Sequence, residues 1–353
     1  MPTHRKPESE RFKGPAKYAE YLFARALITV LQRLPVRAAH RLGRGVGWLA
    51  WKCLKRRRAT VRKNLEIVNA WMDARSADGG SMMADGGDEL KAGRRKSTEG
   101  APSDLSSFIP HPSSAIEAQV REVFQRAGAN LFSGFTFNRM SPGQAAEHIR
   151  IEGVEHLKSA LDEGRGVIVL LAHMGPWEAL AQLPGLAQQQ YGVEAPFGAM
   201  YRPLNNNYLD NWYRRQREAR GTRLFSRRDG FHKPVDFLRG GGMLGILSDQ
   251  KIREGVDAAF FGRMLKTTPI PGLFQRRSGA PVVAVSVSTS APRQWTIRLR
   301  AFQLPVAADP KDRTPFARSL NAALETMFCD SLCDGFWMQA RFSAKDSRVD
   351  MSI

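Results

Sequence analysis

Residues 166–178, Gly-Val-Ile-Val-Leu-Leu-Ala-His-Met-Gly-Pro-Trp-Glu, constrain this chain more than any other stretch. The apolar run 167–172 is rich in β-branched residues and lies between Gly164 and Gly166 on one side and Gly175-Pro176 on the other, so it reads as a buried strand. A strand with both faces buried is usually parallel and covered by helices. The spacing predicts a turn at His173, a helix cap at Gly175 and Pro176 as the first helical residue, where its missing N–H costs nothing. Glu178 then becomes the third residue of that helix.

This arrangement brings chemistry to one place. On a continuous helix, residues five apart diverge by about 140°, but a strand-turn-helix lets the Glu178 carboxylate reach back towards His173. A carboxylate on one ring N–H orients an imidazole and leaves the other nitrogen available as a general base. In open α/β sheets ligands bind at the carboxyl ends of strands, where His173 falls. The spacing alone is equally compatible with a satisfied turn histidine and a glutamate that complements a helix dipole.

Alternating elements follow. Residues 154–161 read as a helix feeding the His173 strand. Further strands are expected over 197–200, 243–247 and 281–288, with an edge strand over 294–301 and helices over 205–220 and 316–333. The fold class is therefore α/β, a mainly parallel or mixed central sheet covered by helices. Polar residues recur at strand ends: His173, Arg202 and Asp249 each follow an apolar run, so one sheet edge gathers all three. Arg202 and Asp249 in that position fit either a salt bridge closing the edge or a role in a site.

The chain of 353 residues carries 53 Lys and Arg against 34 Asp and Glu, a net charge of +19. That balance points to an anionic partner: anionic lipid, an acidic protein or nucleic acid. Three cysteines, Cys53, Cys329 and Cys333, do not make a disulfide framework, which implies a reduced cytoplasmic setting; no bound metal or cofactor is expected. The polar residues 1–17 form a tail without the pattern of a signal peptide. Within residues 18–71, Arg25, Arg33, Arg37, Arg41 and Arg44 interrupt every apolar run, so the ~20 continuous apolar residues of a spanning helix are absent. Leu22, Ala26, Leu27, Val30 and Leu34 recur at helical spacing and Gly43, Gly45, Gly47, Trp48 and Trp51 follow, a mixture suited to helices lying in a membrane interface or packing on the rest of the protein. The basic cluster 52–63 then suits anionic headgroups at ~1 kcal/mol per cation. It has no interleaved aromatics for stacking bases, and nucleic acid is not expected. Residues 72–114 are rich in Gly, Ser, Asp and Ala without apolar period and read as a disordered insertion, leaving 115–345 as the main domain and 346–353 as a tail.

The residues His173-Met-Gly-Pro-Trp-Glu178, Tyr201-Arg-Pro-Leu-Asn-Asn, Gly245-Ile-Leu-Ser-Asp249-Gln250, Phe260-Phe-Gly262 with Thr267-Thr268, and Ser278-Gly-Ala-Pro-Val-Val283 resemble, in order and at fitting intervals, the blocks of the bacterial lipid A biosynthesis acyltransferases, the late lauroyl and myristoyl transferases of the glycerolipid acyltransferase superfamily. Arg62-Lys-Asn-Leu65 resembles the family's Arg-x-Asn-Leu element. Residues 336–342 resemble its closing Trp-x-His-x-Arg-Phe element, with Gln339 where His is usual.

The resemblance implies acyl transfer from an acyl thioester, with acidic acyl carrier protein as donor, to a hydroxyl of a lipid A precursor or related anionic glycolipid. It implies His173 as base, Glu178 as its orienter, Arg202 as oxyanion partner, and Tyr201, Asp249, Gln250 and Arg341 as substrate-binding residues. It also implies work at the cytoplasmic face of the bacterial inner membrane, peripheral or monotopic. Two alternatives stand beside it: an acyl-CoA-dependent enzyme of the same superfamily acting on a phospholipid or other glycolipid, and a non-enzymatic basic protein that binds membrane or nucleic acid.

Overall fold

The computed structural model describes residues 13–77, 112–219, 221–226, 230–305, 309, 311–342 and 348–349. Four helices come first: α1 (Pro15–Leu31), α2 (Val36–Cys53), α3 (Lys55–Ala77) and α4 (Pro112–Phe137). Strands and helices then alternate as α5 (Pro142–Ala146), β1 (Ile149–Glu152), α6 (Val154–Asp162), β2 (Val167–Leu171), a short 3₁₀ helix (Trp177–Gln182), α7 (Leu183–Tyr191), β3 (Phe197–Tyr201), α8 (Asn207–Glu218) and β4 (Arg223–Ser226). The second half holds α9 (His232–Arg239), β5 (Met243–Leu247), β6 (Val256–Phe260), β7 (Arg263–Thr267), α10 (Ile270–Ser278), β8 (Val282–Ala291), β9 (Gln294–Ala301) and α11 (Thr314–Asp330).

Among the described residues one seven-stranded sheet runs in the order β1-β9-β8-β2-β5-β3-β4, parallel throughout except for the antiparallel β8–β9 pair. The expected α/β class holds. β2 sits between β8 and β5 with every side chain buried, as its unbroken apolar run requires. The β6–β7 hairpin lies outside this sheet and packs against α11.

Several expectations are corrected. β9 is not an edge strand, since it pairs with β8 on one side and β1 on the other. Its alternation has another cause: Trp295, Ile297 and Leu299 fill the core, while Arg298 and Arg300 on the other face reach Asp330 of α11. The boundary expected at residue 72 falls later, because α3 continues to Ala77 with Trp71 and Met72 packed on the core, Trp71 lying 5.0 Å edge-on from Phe261. At the far side, α4 already begins at Pro112. The remainder of the expected insertion, residues 78–111, lies outside the described residues.

Gly43 and Gly47 of α2 serve packing. A Cβ on Gly43 would meet the Gly128 carbonyl oxygen at 2.3 Å, and one on Gly47 would meet that of Phe124 at 2.1 Å, so α2 and α4 approach backbone to backbone. The opposite face of α2 is different: Leu42, Val46 and Leu49 are exposed, as are Leu22, Phe23, Leu27 and Val30 on α1. The packing reading of this region therefore holds for one face, and the other face leaves apolar side chains exposed. Among the described residues no helix is long and apolar enough to cross a membrane.

Candidate active site

The site is built from strand register. β2 and β5 pair in parallel with Leu171 opposite Leu247, and the ladder continues one residue further, Ser248 N–H donating to the Leu171 carbonyl at 3.0 Å. His173 and Asp249 each lie two residues beyond those strand ends, so they emerge level with one another. His173 Nδ1 meets Asp249 Oδ1 at 2.7 Å, both side chains largely sheltered from solvent. With Nδ1–H donated to the carboxylate, Nε2 becomes an acceptor, and the Gln250 amide nitrogen lies 3.1 Å from it. Trp177 flanks the imidazole edge-on at 5.5 Å.

The turn bearing His173 is pinned from behind. Its carbonyl accepts from Phe336 N–H at 2.9 Å, and Gly175 N–H donates to the Asp334 carbonyl at 2.9 Å. Gly175 has φ of 54°, and a Cβ there would meet the Val287 carbonyl oxygen at 2.3 Å, so no larger residue fits this turn. Asp334 itself is a buried hub: its carboxylate accepts from Thr289 N–H and Oγ1, both 2.7 Å, from Ser331 Oγ at 2.7 Å and from Asn130 at 2.8 Å. Arg126 stands 3.3 Å away as its counter-charge.

Glu178 is elsewhere. Pro176 caps a 3₁₀ turn rather than opening an α-helix, and the first turn directs Glu178 towards α8 instead of back to His173. There its two oxygens accept from Arg217 Nη2 at 2.8 and 2.6 Å. The Arg217 guanidinium lies over the Tyr213 ring, 4.3 Å from its centroid. Burial, reinforced by the Glu178 charge, pushes the Tyr213 phenol well above its ordinary range. The expected Glu178–His173 contact is thus replaced by Asp249–His173, because strand register delivers one carboxylate to the ring and the 3₁₀ turn removes the other.

Of the remaining candidates, Gln250 and Arg341 join the cluster: Arg341, itself buried, donates Nη1 to the Gln250 carbonyl at 2.7 Å and lies 5.1 Å from the centroid of Phe260. Arg202 follows β3, the neighbour of β5, and is exposed; the Asp249 carboxylate is engaged by His173. Tyr201 ends β3 with the Arg214 guanidinium 5.7 Å from its ring. Asn64 of the Arg-x-Asn-Leu element donates to the Trp337 and Gln339 carbonyls, both at 2.8 Å, tying α3 to the closing segment beside Arg341. Arg217 and Asp334 carry no distinguishing signal in sequence, since Arg217 is one of several arginines on a basic helix and Asp334 follows the end of α11.

A parallel sheet with a His–Asp pair at its carboxyl edge is a scaffold for acid–base chemistry on a ligand seated above the strands. The chain matches the family described as bacterial lipid A biosynthesis acyltransferase over residues 5–78 and 80–344, and it belongs to that family. It is an O-acyltransferase. It is similar to the lipid A biosynthesis palmitoleoyltransferase of Escherichia coli (strain K12), 24% identical over 341 residues that span 96% of this chain and 95% of the relative. The same figures hold for a lipid A biosynthesis acyltransferase of Shigella flexneri. A phosphatidylinositol mannoside acyltransferase of Mycolicibacterium smegmatis (strain ATCC 700084 / mc(2)155) is 26% identical over 157 residues, 43% of this chain and 49% of that protein.

Proposed function

We propose that this acyltransferase moves a fatty acyl chain from the thioester of acyl carrier protein to a hydroxyl of a lipid A precursor, with His173 as general base and Asp249 as its orienter. The observation that carries the reading is the 2.7 Å His173–Asp249 hydrogen bond with Nε2 turned towards the polar amide of Gln250. Nε2 takes the proton of the attacking hydroxyl, the oxygen adds to the thioester carbonyl, and the resulting oxyanion collapses with cleavage of the C–S bond. The imidazolium then returns its proton to the leaving thiolate. No protein nucleophile is needed. Arg202, exposed at the end of β3 on the same edge, supplies positive charge for the oxyanion or for an acceptor phosphate once substrate covers it.

The surroundings suit a lipid acceptor. The exposed apolar residues of α1 and α2 face outward next to the basic first turns of α3, a pairing suited to peripheral or monotopic binding at the anionic cytoplasmic face of the inner membrane. The net charge of +19 suits an acidic carrier as donor.

Purified protein incubated with acyl carrier protein thioester and a lipid A precursor bearing free 3-hydroxyacyl chains should yield a product heavier by one acyl group in mass spectra. Parallel reactions with acyl-CoA, and with a phosphatidylinositol mannoside acceptor, test the related reading that the similarity to the mycobacterial enzyme supports. Transfer only in those parallel reactions would move the assignment to that donor or acceptor. Undiminished transfer by a folded His173→Ala variant would overturn the mechanism.

A further inference from the structure

Asp249 and Gln250, adjacent in the chain, bracket the imidazole of His173. Asp249 takes the Nδ1 side at 2.7 Å, and the side-chain nitrogen of Gln250 stands 3.1 Å from Nε2. With Nδ1–H given to the carboxylate, Nε2 carries the lone pair, and the Gln250 amide N–H donates to it. Trp177 flanks the ring at 5.5 Å, and the His173 side chain is only 15% exposed. Both ring nitrogens are therefore occupied. A hydroxyl that gives its proton to Nε2 needs the place where the Gln250 nitrogen now lies, because the one lone pair accepts one strong hydrogen bond.

Resting on the acyl-transfer reading, we infer that Gln250 is a removable cap on the base: its amide holds the place of the acceptor hydroxyl, keeps water off Nε2 while the acceptor is absent, and swings aside when the hydroxyl arrives. The surroundings let the side chain move while its backbone stays. The buried Arg341 donates Nη1 to the Gln250 carbonyl at 2.7 Å and is itself held against the Phe260 ring, whereas Gln250 is exposed beyond that anchor. The exchange costs little, since one neutral hydrogen bond to the imidazole replaces another. Its value lies in selectivity. A base able to take a proton from a lipid hydroxyl can also take one from water. The water oxygen then adds to the thioester carbonyl, the C–S bond breaks, the thiolate recovers the proton from the imidazolium, and a free fatty acid and a thiol result. Water brings no binding energy beyond that single bond, whereas a bound acceptor is held by the rest of its contacts and can displace the amide. The cap thus suppresses wasteful hydrolysis of the donor.

The test uses the full-length wild type, Gln250→Ala, Gln250→Met, His173→Ala and the His173→Ala/Gln250→Ala double variant. The Gln250 variants should fold, because Gln250 is exposed and the bond from Arg341 goes to its backbone. Diethyl pyrocarbonate, added without any substrate, reacts with an imidazole nitrogen that has a free lone pair, and mass spectra follow modification of His173 with the exposed His232 as internal standard. Gln250→Ala should speed modification of His173 by about 3- to 10-fold, the range that one neutral hydrogen bond spans. Gln250→Met, which keeps the length and loses the donor, should show a smaller rise in the same direction. With acyl carrier protein thioester alone, thiol release should rise in Gln250→Ala by a similar factor. With lipid A precursor added, that variant should hydrolyse more thioester per acyl group transferred. The double variant should release thiol no faster than His173→Ala. An unchanged rate of His173 modification in Gln250→Ala would overturn the cap, and so would a ratio of hydrolysis to transfer equal to that of the wild type. A rise in thiol release that survives in the double variant also counts against it, since water then reaches the thioester without the base. A wild type that neither transfers nor hydrolyses counts against the acyl-transfer reading, while the capped imidazole is judged by the modification rate alone.

Discussion

His173 and Asp249 are 76 residues apart in sequence and 2.7 Å apart in space, because β2 and β5 run parallel with Leu171 opposite Leu247. On the proposed mechanism the carboxylate holds Nδ1–H and so leaves Nε2 to face the acceptor. Asp249→Asn can present an N–H to the ring and select the wrong tautomer, so kcat should fall about 10²-fold or more. His173→Ala should fall at least as far. Urea unfolding should show both proteins folded; an Asp249→Asn enzyme of near-normal kcat would remove Asp249 from the mechanism.

The β6–β7 turn is tied to α11 by a second carboxylate with a different consequence. Phe261, at φ of 48°, donates its N–H to Glu325, and burial pushes Glu325 up to about 7, opposed by that hydrogen bond and by the charge of Arg75. The folded value lies above the ordinary 4.5, so the native state takes up a proton that the unfolded chain does not hold between those values. Stability from this group is fully present below about 4.5 and is lost as pH rises through about 7. The loss at pH ~8.5 is up to about 3 kcal/mol, less any solvent screening. Glu325→Gln should flatten this part of the stability profile in urea melts at pH ~5.5, ~7 and ~8.5. Parallel profiles for the two proteins would show that Glu325 does not titrate in this window.

The α2–α4 crossing predicts opposite results for two glycines only two residues apart. Gly43→Ala drives a methyl into the Gly128 carbonyl and forces the helices apart, at about 1–3 kcal/mol. Gly45→Ala meets nothing within 4 Å and should be neutral or stabilising by up to about 1 kcal/mol. Chemical denaturation of the two variants checks the pair, and equal effects would contradict the close approach.

Membrane binding should have two separable parts. The basic residues of α3 give attraction to phosphatidylglycerol vesicles that salt screens. Phe23, 73% exposed, with Leu27 and Val30, adds an apolar part that salt does not remove. In sedimentation assays the wild type should be only partly released by high salt, whereas Phe23→Asp/Leu27→Asp should be released almost fully. No pelleting at low salt, or identical release curves, would show that these faces serve something other than a membrane.

Short-range pattern determined much of this protein. The apolar runs before His173 and Asp249 specify buried strands ending in polar groups, since a strand buried on both faces needs only its own residues to be recognised, and the run before Arg202 specifies a strand that is only half-buried towards its end. The interruptions at Arg25, Arg33, Arg37, Arg41 and Arg44 likewise decided locally that no spanning helix forms there. β4 escaped this reading because Arg223–Ser226 is too short to show a period, and β9 looked like an edge because its polar face meets arginine–aspartate pairs rather than water. Which carboxylate meets His173 was a matter for tertiary structure alone. Glu178 is near in sequence, yet the 3₁₀ turn points it at Arg217, and Asp249 reaches the ring through a register set between two strands by the packing of the whole sheet. Register is a relation between distant segments, and no local period encodes it.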